Sequence, residues 1–251
     1  MIAVTGMHRS GTSCVTGLLE KCGLSLGTSH PLLTDPRADN QKGHFENRSV
    51  IAINETIITK AGGTWYQPPS ANAITSTGAR YARHFAEFGR TFNGDVIKDP
   101  RICLTISLWE KYCPDLTALI VCLRNPIAVA GSLKLRDGLP VEAGVRLWYE
   151  YNVRLFSSER RVPIYVVDYD SLNRNLEFEL SSLCADLGLP LDMSDLHARI
   201  ARFYSGELNH AAAKEEHLDL LPADIRLLYE AMRSHTYARR GAVVAAQSAV
   251  G

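Results

Sequence analysis

The sequence predicts an α/β fold: a single domain built on a doubly wound parallel sheet flanked by helices. Three observations carry that prediction. Four short apolar, β-prone runs, at Ile2–Thr5, Val96–Lys98, Ala118–Leu123 and Ile164–Val167, are separated by segments of helical periodicity. The first run leads directly into Gly6-Met7-His8-Arg9-Ser10-Gly11-Thr12-Ser13, a glycine-bounded turn that opens a helix. A chain of 251 residues is also long enough to bury one substantial core.

The elements follow in order. After the glycine-bounded loop, Val15, Leu18, Leu19 and Cys22 recur at helical spacing, and Gly23 stands where a left-handed C-terminal cap belongs. The stretch from 27 to about 94 has loop-rich ends (Thr34-Asp35-Pro36, Gly62-Gly63, Pro68-Pro69) around an amphipathic helix near Val50–Lys60. Inserted between the first two strands, it is expected over their C-terminal ends, where open α/β sheets bind ligands. The helix after Pro100 carries Leu104, Leu108 and Tyr112 on one face, and the next starts near Pro126, a residue suited to a first helical turn. Val141 to Phe156 repeats Val145, Trp148, Asn152 and Leu155 at helical steps. Later helices are predicted over Leu176–Leu187, Asp195–Tyr204 and Ala223–Met232. The domain is expected over 1–240, with 241–251 as a flexible tail too short to span a membrane.

Lys+Arg and Asp+Glu both number 27, so no global field draws in nucleic acid or an anionic membrane. Any anion site must be local. The six cysteines show no C-x-x-C pair and sit mostly in apolar periodic segments, as small core residues of a reducing compartment do. A sequence that opens on its first strand leaves no room for a signal peptide, and no run approaches the roughly 20 apolar residues of a membrane helix. A cytoplasmic protein is expected.

The loop at 6–13 is a P-loop-type anion cradle, in which backbone N–H groups and the positive helix end converge on one spot. It nearly fits G-x-x-x-x-G-K-[ST], but Thr12 holds the lysine position and the loop's cation is Arg9. The missing lysine argues against nucleoside-triphosphate chemistry. A P-loop kinase or triphosphatase remains the first rival, since the last strand ends near Asp168 and Asp170. A second basic point follows the third strand: Arg124-Asn125-Pro126, with Ser132 about two helical turns on. An arginine fork and a hydroxyl there suit a phosphate monoester, and alone they equally suit a helix cap and a surface serine.

Taken together, the two points resemble the sulfotransferase family that uses 3′-phosphoadenosine 5′-phosphosulfate (PAPS), in its bacterial branch of the carbohydrate and tyrosylprotein type. The resemblance implies that His8, Arg9, Ser10, Gly11, Thr12 and Ser13 hold the 5′-phosphosulfate while Arg124 and Ser132 hold the 3′-phosphate. Lys98-Asp99-Pro100 is similar to the Lys-Asp-Pro segment of the tyrosylprotein branch, whose lysine faces the transferring sulfuryl group. Tyr169, in Val167-Asp168-Tyr169-Asp170-Ser171-Leu172, matches a tyrosine that lies against the adenosine. The chain also departs from the pattern. Cys14 stands where many members carry an adenine-stacking tryptophan, Lys98 lacks a Lys-x-His partner, and the C-terminal basic-glycine segment has only an echo in Arg239-Arg240-Gly241.

The base is sought in Lys42-Gly43-His44-Phe45-Glu46-Asn47, which resembles a glutamate-bearing segment of the bacterial enzymes. Glu46 is the first candidate, His44 the second and Asp99 the third. If the piece is extended, His44 and Glu46 share a side, and Phe45 and Trp65 desolvate the carboxylate. Lys98 and Arg9 then bridge sulfuryl and leaving-group oxygens. The resemblance implies PAPS as donor, adenosine 3′,5′-bisphosphate (PAP) as product and no metal. It leaves a degenerate module that only holds nucleotide as a further rival. Trp65, Tyr66 and Pro68-Pro69 suggest an aromatic-walled opening for a carbohydrate or small-molecule acceptor, with a tyrosyl peptide as the alternative. The partner expectations are completed by no nucleic acid, no membrane span and, as an option, a homodimer.

Overall fold

The computed structural model describes residues 1–33, 45–157, 159–189 and 215–234. The predicted helix over Asp195–Tyr204, the residues His44 and Arg239-Arg240-Gly241, and the tail at 241–251 lie outside them.

The central sheet contains β1 (Ile2–Thr5), β4 (Val96–Lys98), β5 (Ala118–Leu123) and β6 (Ile164–Asp168), all parallel, in the order β4-β1-β5-β6. A two-residue antiparallel ribbon pairs β2 (Leu32–Leu33) with β3 (Glu46–Asn47). The chain crosses from β1 to one neighbour, β4, and then returns to the other, β5, so the strand order reverses around β1. That is where a ligand crevice forms in open α/β sheets.

Alternation along the strands feeds two cores. Ala3, Ile97, Leu119, Val121, Ile164 and Val166 face one, and Val4, Val96, Ile120, Cys122, Tyr165 and Val167 face the other. The first core is covered by α2 (Arg48–Lys60), α3 (Ala71–Gly78), α4 (Ala82–Thr91), α5 (Ile102–Tyr112), α6 (Pro126–Asp137), α7 (Val141–Phe156) and α10 (Ala223–Ser234). The second is covered by α1 (Thr12–Lys21), α8 (Tyr169–Arg174) and α9 (Leu176–Asp186). Helices on both faces make the sheet doubly wound, and they explain why its strands read as continuous apolar runs.

Local chemistry sets the boundaries. Gly23 takes φ +100° after α1, and the Gly23 and Leu24 amides close the last turn on the Glu20 and Leu19 carbonyls. Asn125 caps α6 by accepting from the Ile127 and Ala128 amides, with Pro126 at the first helical position.

The insertion departs from expectation. Among the described residues it holds three α-helices rather than one, because Ile74, Tyr81, Phe85 and Phe88 continue an apolar stripe beyond the Pro68-Pro69 break. Phe85 and Phe88 meet the Trp109 ring of α5 edge-on, with centroids 4.9 and 5.7 Å away. Much of the insertion therefore flanks the sheet. Its first segment, β3 and the start of α2, lies beside β4 and reaches the strand ends. No described helix is long and apolar enough to cross a membrane.

Candidate active site

Arg9, Lys98, Arg124 and Tyr169 all follow or end a strand of the sheet, so its parallel topology delivers them to one edge. In the loop after β1, Arg9 takes φ +72° and Gly11 φ +87°. A Cβ on Gly11 would lie 2.2 Å from the Tyr169 ring, so only glycine lets the ring pack against the start of α1. Ser10 is fully buried and its Oγ has no hydrogen-bond partner. Thr12 opens α1, and its carbonyl accepts from Thr16 Oγ1.

Lys98, the last residue of β4, is 2 % exposed. Its Nζ donates to Glu46 Oε1 at 2.6 Å and to Ser13 Oγ at 3.2 Å. One ammonium thus joins the insertion to the first turn of α1. Glu46 is 7 % exposed and stands just before Asn47, whose side chain caps α2 by accepting from the Ser49 and Val50 amides. Phe45, just before Glu46, takes φ +53°, outside the extended region.

Behind this pair lies a buried polar network. Asp99 Oδ1 accepts from the Arg101 amide and from Arg101 Nη1, both at 2.9 Å, and Asp99 Oδ2 accepts from Asn54 Nδ2 at 2.9 Å. Asn54 Oδ1 in turn accepts from Thr105 Oγ1 and Trp109 Nε1. Asp99 is therefore a poor third candidate for the base: it is fully buried and both its oxygens are engaged. Arg101 Nη2 also meets Glu55 Oε1 at 2.7 Å, and Nη1 lies 4.0 Å from Glu46 Oε2. Burial works against the Arg101 charge, but Asp99, Glu46 and Glu55 outweigh it and raise the pKa.

The two predicted anion points adjoin. Arg124 Nη1 donates to the Arg9 carbonyl at 3.0 Å, and Arg9 Nε donates to Ser132 Oγ at 2.8 Å. The Arg9 side chain is thus turned toward the Arg124 side of the site. The Arg124 guanidinium lies 5.1 Å from the Tyr169 ring centroid. Trp148 Nε1 anchors this corner by donating to the Arg124 carbonyl. Burial pushes the Tyr169 hydroxyl up to about 12.

His8 stands apart from the backbone cradle. Its ring is packed 4.7 Å from Trp65 and 5.8 Å from Tyr151, whose hydroxyl donates to the Trp65 carbonyl. Trp65 packs on His8 and beneath the Arg136 guanidinium, which lies 5.5 Å from the Trp65 ring centroid. Burial, followed by the charges of Arg101, Arg136, Lys98 and Arg9, holds the His8 pKa well below the usual imidazole value.

The sequence reading missed Arg101, Asn54 and Arg136. A buried asparagine on the apolar side of α2 was the one available signal for the network. The aspartates of the kinase rival are committed elsewhere. Asp168 caps α8 through the Asp170 and Ser171 amides and meets Arg233 Nε at 3.3 Å, and Asp170 accepts from the Asn125 amide. None of the six cysteines forms a disulfide. Among the described residues no group of His, Cys, Asp and Glu is placed to hold a metal ion.

No curated protein matches the chain. Among solved structures it is similar to a sulfotransferase domain from the curacin biosynthetic pathway, at 14 % identity and a TM-score of 0.46. That match covers 83 % of this chain and 78 % of that one. The profile of the sulfotransferase family matches residues 2–195, which takes in the loop after β1, the Lys98–Glu46 pair and the Arg124 corner. The chain therefore belongs to the sulfotransferase family, and it is a transferase.

Proposed function

We propose that this sulfotransferase moves the sulfuryl group of PAPS to a hydroxyl of a carbohydrate or small metabolite. The observation that carries the donor assignment is the contact between the two anion points. With Arg124 bonded to the Arg9 carbonyl and Arg9 to Ser132, a single nucleotide bisphosphate can touch both. Ser10 Oγ, buried without a partner in the loop, fits a phosphate oxygen. In this reading the loop from His8 to Ser13 holds the 5′-phosphosulfate, its phosphate resting on Arg9 to Ser13 and not on the His8 side chain, while Arg124 and Ser132 hold the 3′-phosphate and Tyr169 the adenosine. When bound, the donor supplies an activated sulfuryl group.

Glu46 is the general base, and it takes the proton that the acceptor hydroxyl loses. Neutralising that carboxylate weakens its hold on Lys98, whose ammonium then serves the phosphate oxygen that keeps the electron pair. Arg9, whose Nε is bonded to Ser132, adds positive charge between the two phosphate positions. Most of the rate enhancement comes from this positioned charge rather than from covalent chemistry. Cysteines without disulfides support a cytoplasmic location.

Thermal denaturation with PAP against Mg·ATP tests the donor assignment. At 100 times its dissociation constant PAP stabilises by about 2.7 kcal/mol. Stabilisation by Mg·ATP alone would refute the reading.

A further inference from the structure

We propose that the His8 side chain is a catalytic hydrogen-bond donor to the sulfuryl oxygens themselves, a neutral group working among cations rather than part of the phosphate cradle. The inference rests on the PAPS reading above. His8 Nε2 is buried and has no hydrogen-bond partner, in a ring nine-tenths shielded from solvent. Such an atom is costly to leave unsatisfied and calls for a ligand. The ring is fixed on two sides, by Trp65 and Tyr151, and Tyr151 is tied to the Trp65 carbonyl. Its orientation is therefore set before any ligand arrives, as electrostatic stabilisation of a transition state requires.

Burial and the surrounding charge together decide between donor and base. Arg101, Arg136, Lys98 and Arg9 all oppose a proton on His8, with burial acting in the same direction. A group so placed is a poor proton acceptor and does not compete with Glu46 for the role of base. The same four cations act at the His8 ring, and their charge favours anionic sulfuryl oxygens beside it. A neutral imidazole with its proton on Nε2 donates one hydrogen bond there without needing a counter-charge of its own. No atom or electron is transferred to His8: the proton stays on Nε2 throughout, while the sulfur–oxygen bond to the phosphate breaks, its electron pair goes to the phosphate oxygen, and a bond to the acceptor oxygen forms.

PAP lacks the sulfuryl group, so the ratio of PAPS to PAP affinity isolates the contact and needs no acceptor. Calorimetric titration of wild type, His8→Ala and His8→Gln measures it. A hydrogen bond to a charged group corresponds to roughly 10- to 100-fold in affinity. His8→Ala should lower PAPS affinity by that order and leave PAP affinity unchanged, which also shows that the variant is folded. His8→Gln, whose amide nitrogen reaches the Nε2 position, should restore most of the loss. Equal PAPS and PAP losses in His8→Ala would make His8 a structural or phosphate-cradle residue, and an unchanged PAPS affinity would remove it from the site. Either result overturns the inference alone. Failure of wild type to bind PAP overturns the donor reading, and this inference with it.

Discussion

Lys98 Nζ and Glu46 Oε1 lie 2.6 Å apart, both side chains nearly sealed from solvent, although 52 residues separate them along the chain. A buried pair of this kind contributes little net stability but is expensive to break, because the remaining charge has no water to turn to. Its position is more telling than its energy, since the same ammonium also meets Ser13 on the first turn of α1.

Glu46→Gln should reduce sulfuryl transfer by about 10²–10⁴-fold, the usual contribution of a general base, and leave PAP binding intact. Glu46→Ala should add a loss of stability of about 3–5 kcal/mol from the stranded Lys98 charge. Steady-state rates with labelled PAPS and urea midpoints measure the two effects. A Glu46→Gln enzyme with wild-type turnover would remove the base assignment.

Asn54 holds Asp99, Thr105 and Trp109 together. Asn54→Ala leaves the buried Trp109 Nε1 donor and the Asp99 Oδ2 acceptor without these partners and should destabilise by about 1–3 kcal/mol. The urea midpoint should fall at unchanged m. A loss below about 0.5 kcal/mol, the range of an ordinary surface substitution, would show the network to be incidental.

The lowered His8 pKa has a stability signature. Above the ordinary imidazole pKa of about 6.5, His8 is neutral in both folded and unfolded chains and contributes no pH dependence. As pH falls below that value the unfolded chain takes up a proton that the folded chain refuses, so stability falls. The slope approaches about 1.4 kcal/mol per pH unit until the folded pKa is reached. His8→Gln should lack this component, which denaturation midpoints between pH 7 and pH 5 would reveal (roughly the window below the unfolded value). Identical slopes for wild type and variant would contradict the burial of a neutral His8.

Gly11→Ala forces a side chain into the Tyr169 ring and a left-handed backbone onto alanine. The backbone term alone is about 1–2 kcal/mol. Adding Tyr169→Ala should relieve the clash but not the backbone strain, so the double variant should recover part of the stability. Non-additive midpoints establish the coupling; additive ones would refute the ring contact.

The strands, and most helices around them, were readable because each is an apolar run or stripe bounded by a cap or a break. Ile2–Thr5, Val96–Lys98 and Ala118–Leu123 coincide with the strands observed, and Asp168 extends the last by one residue. The helices α3 and α4 escaped notice because Gly62-Gly63 and Pro68-Pro69 mark loops strongly, while Ile74, Phe85 and Phe88 are spread across a helix junction at 79–81. At the site, the glycine-bounded loop and Arg124 are local patterns and stood out. The meeting of Glu46 with Lys98 depends on how an insertion folds back on a strand end, and nothing in local periodicity encodes that register. Glu46 was reached through a resemblance instead. Arg101 and Asn54 matter only through partners that the fold supplies.

In the proposed binding mode, two adjoining points hold opposite ends of one nucleotide. Calorimetric titration of wild type and Arg124→Ala with PAP and with adenosine 5′-monophosphate tests it most directly. Wild type should favour PAP by roughly 10- to 100-fold, the worth of a charged hydrogen bond to the 3′-phosphate, and Arg124→Ala should bind the two nucleotides almost equally. An Arg124→Ala protein that still prefers PAP as strongly as wild type would contradict the account.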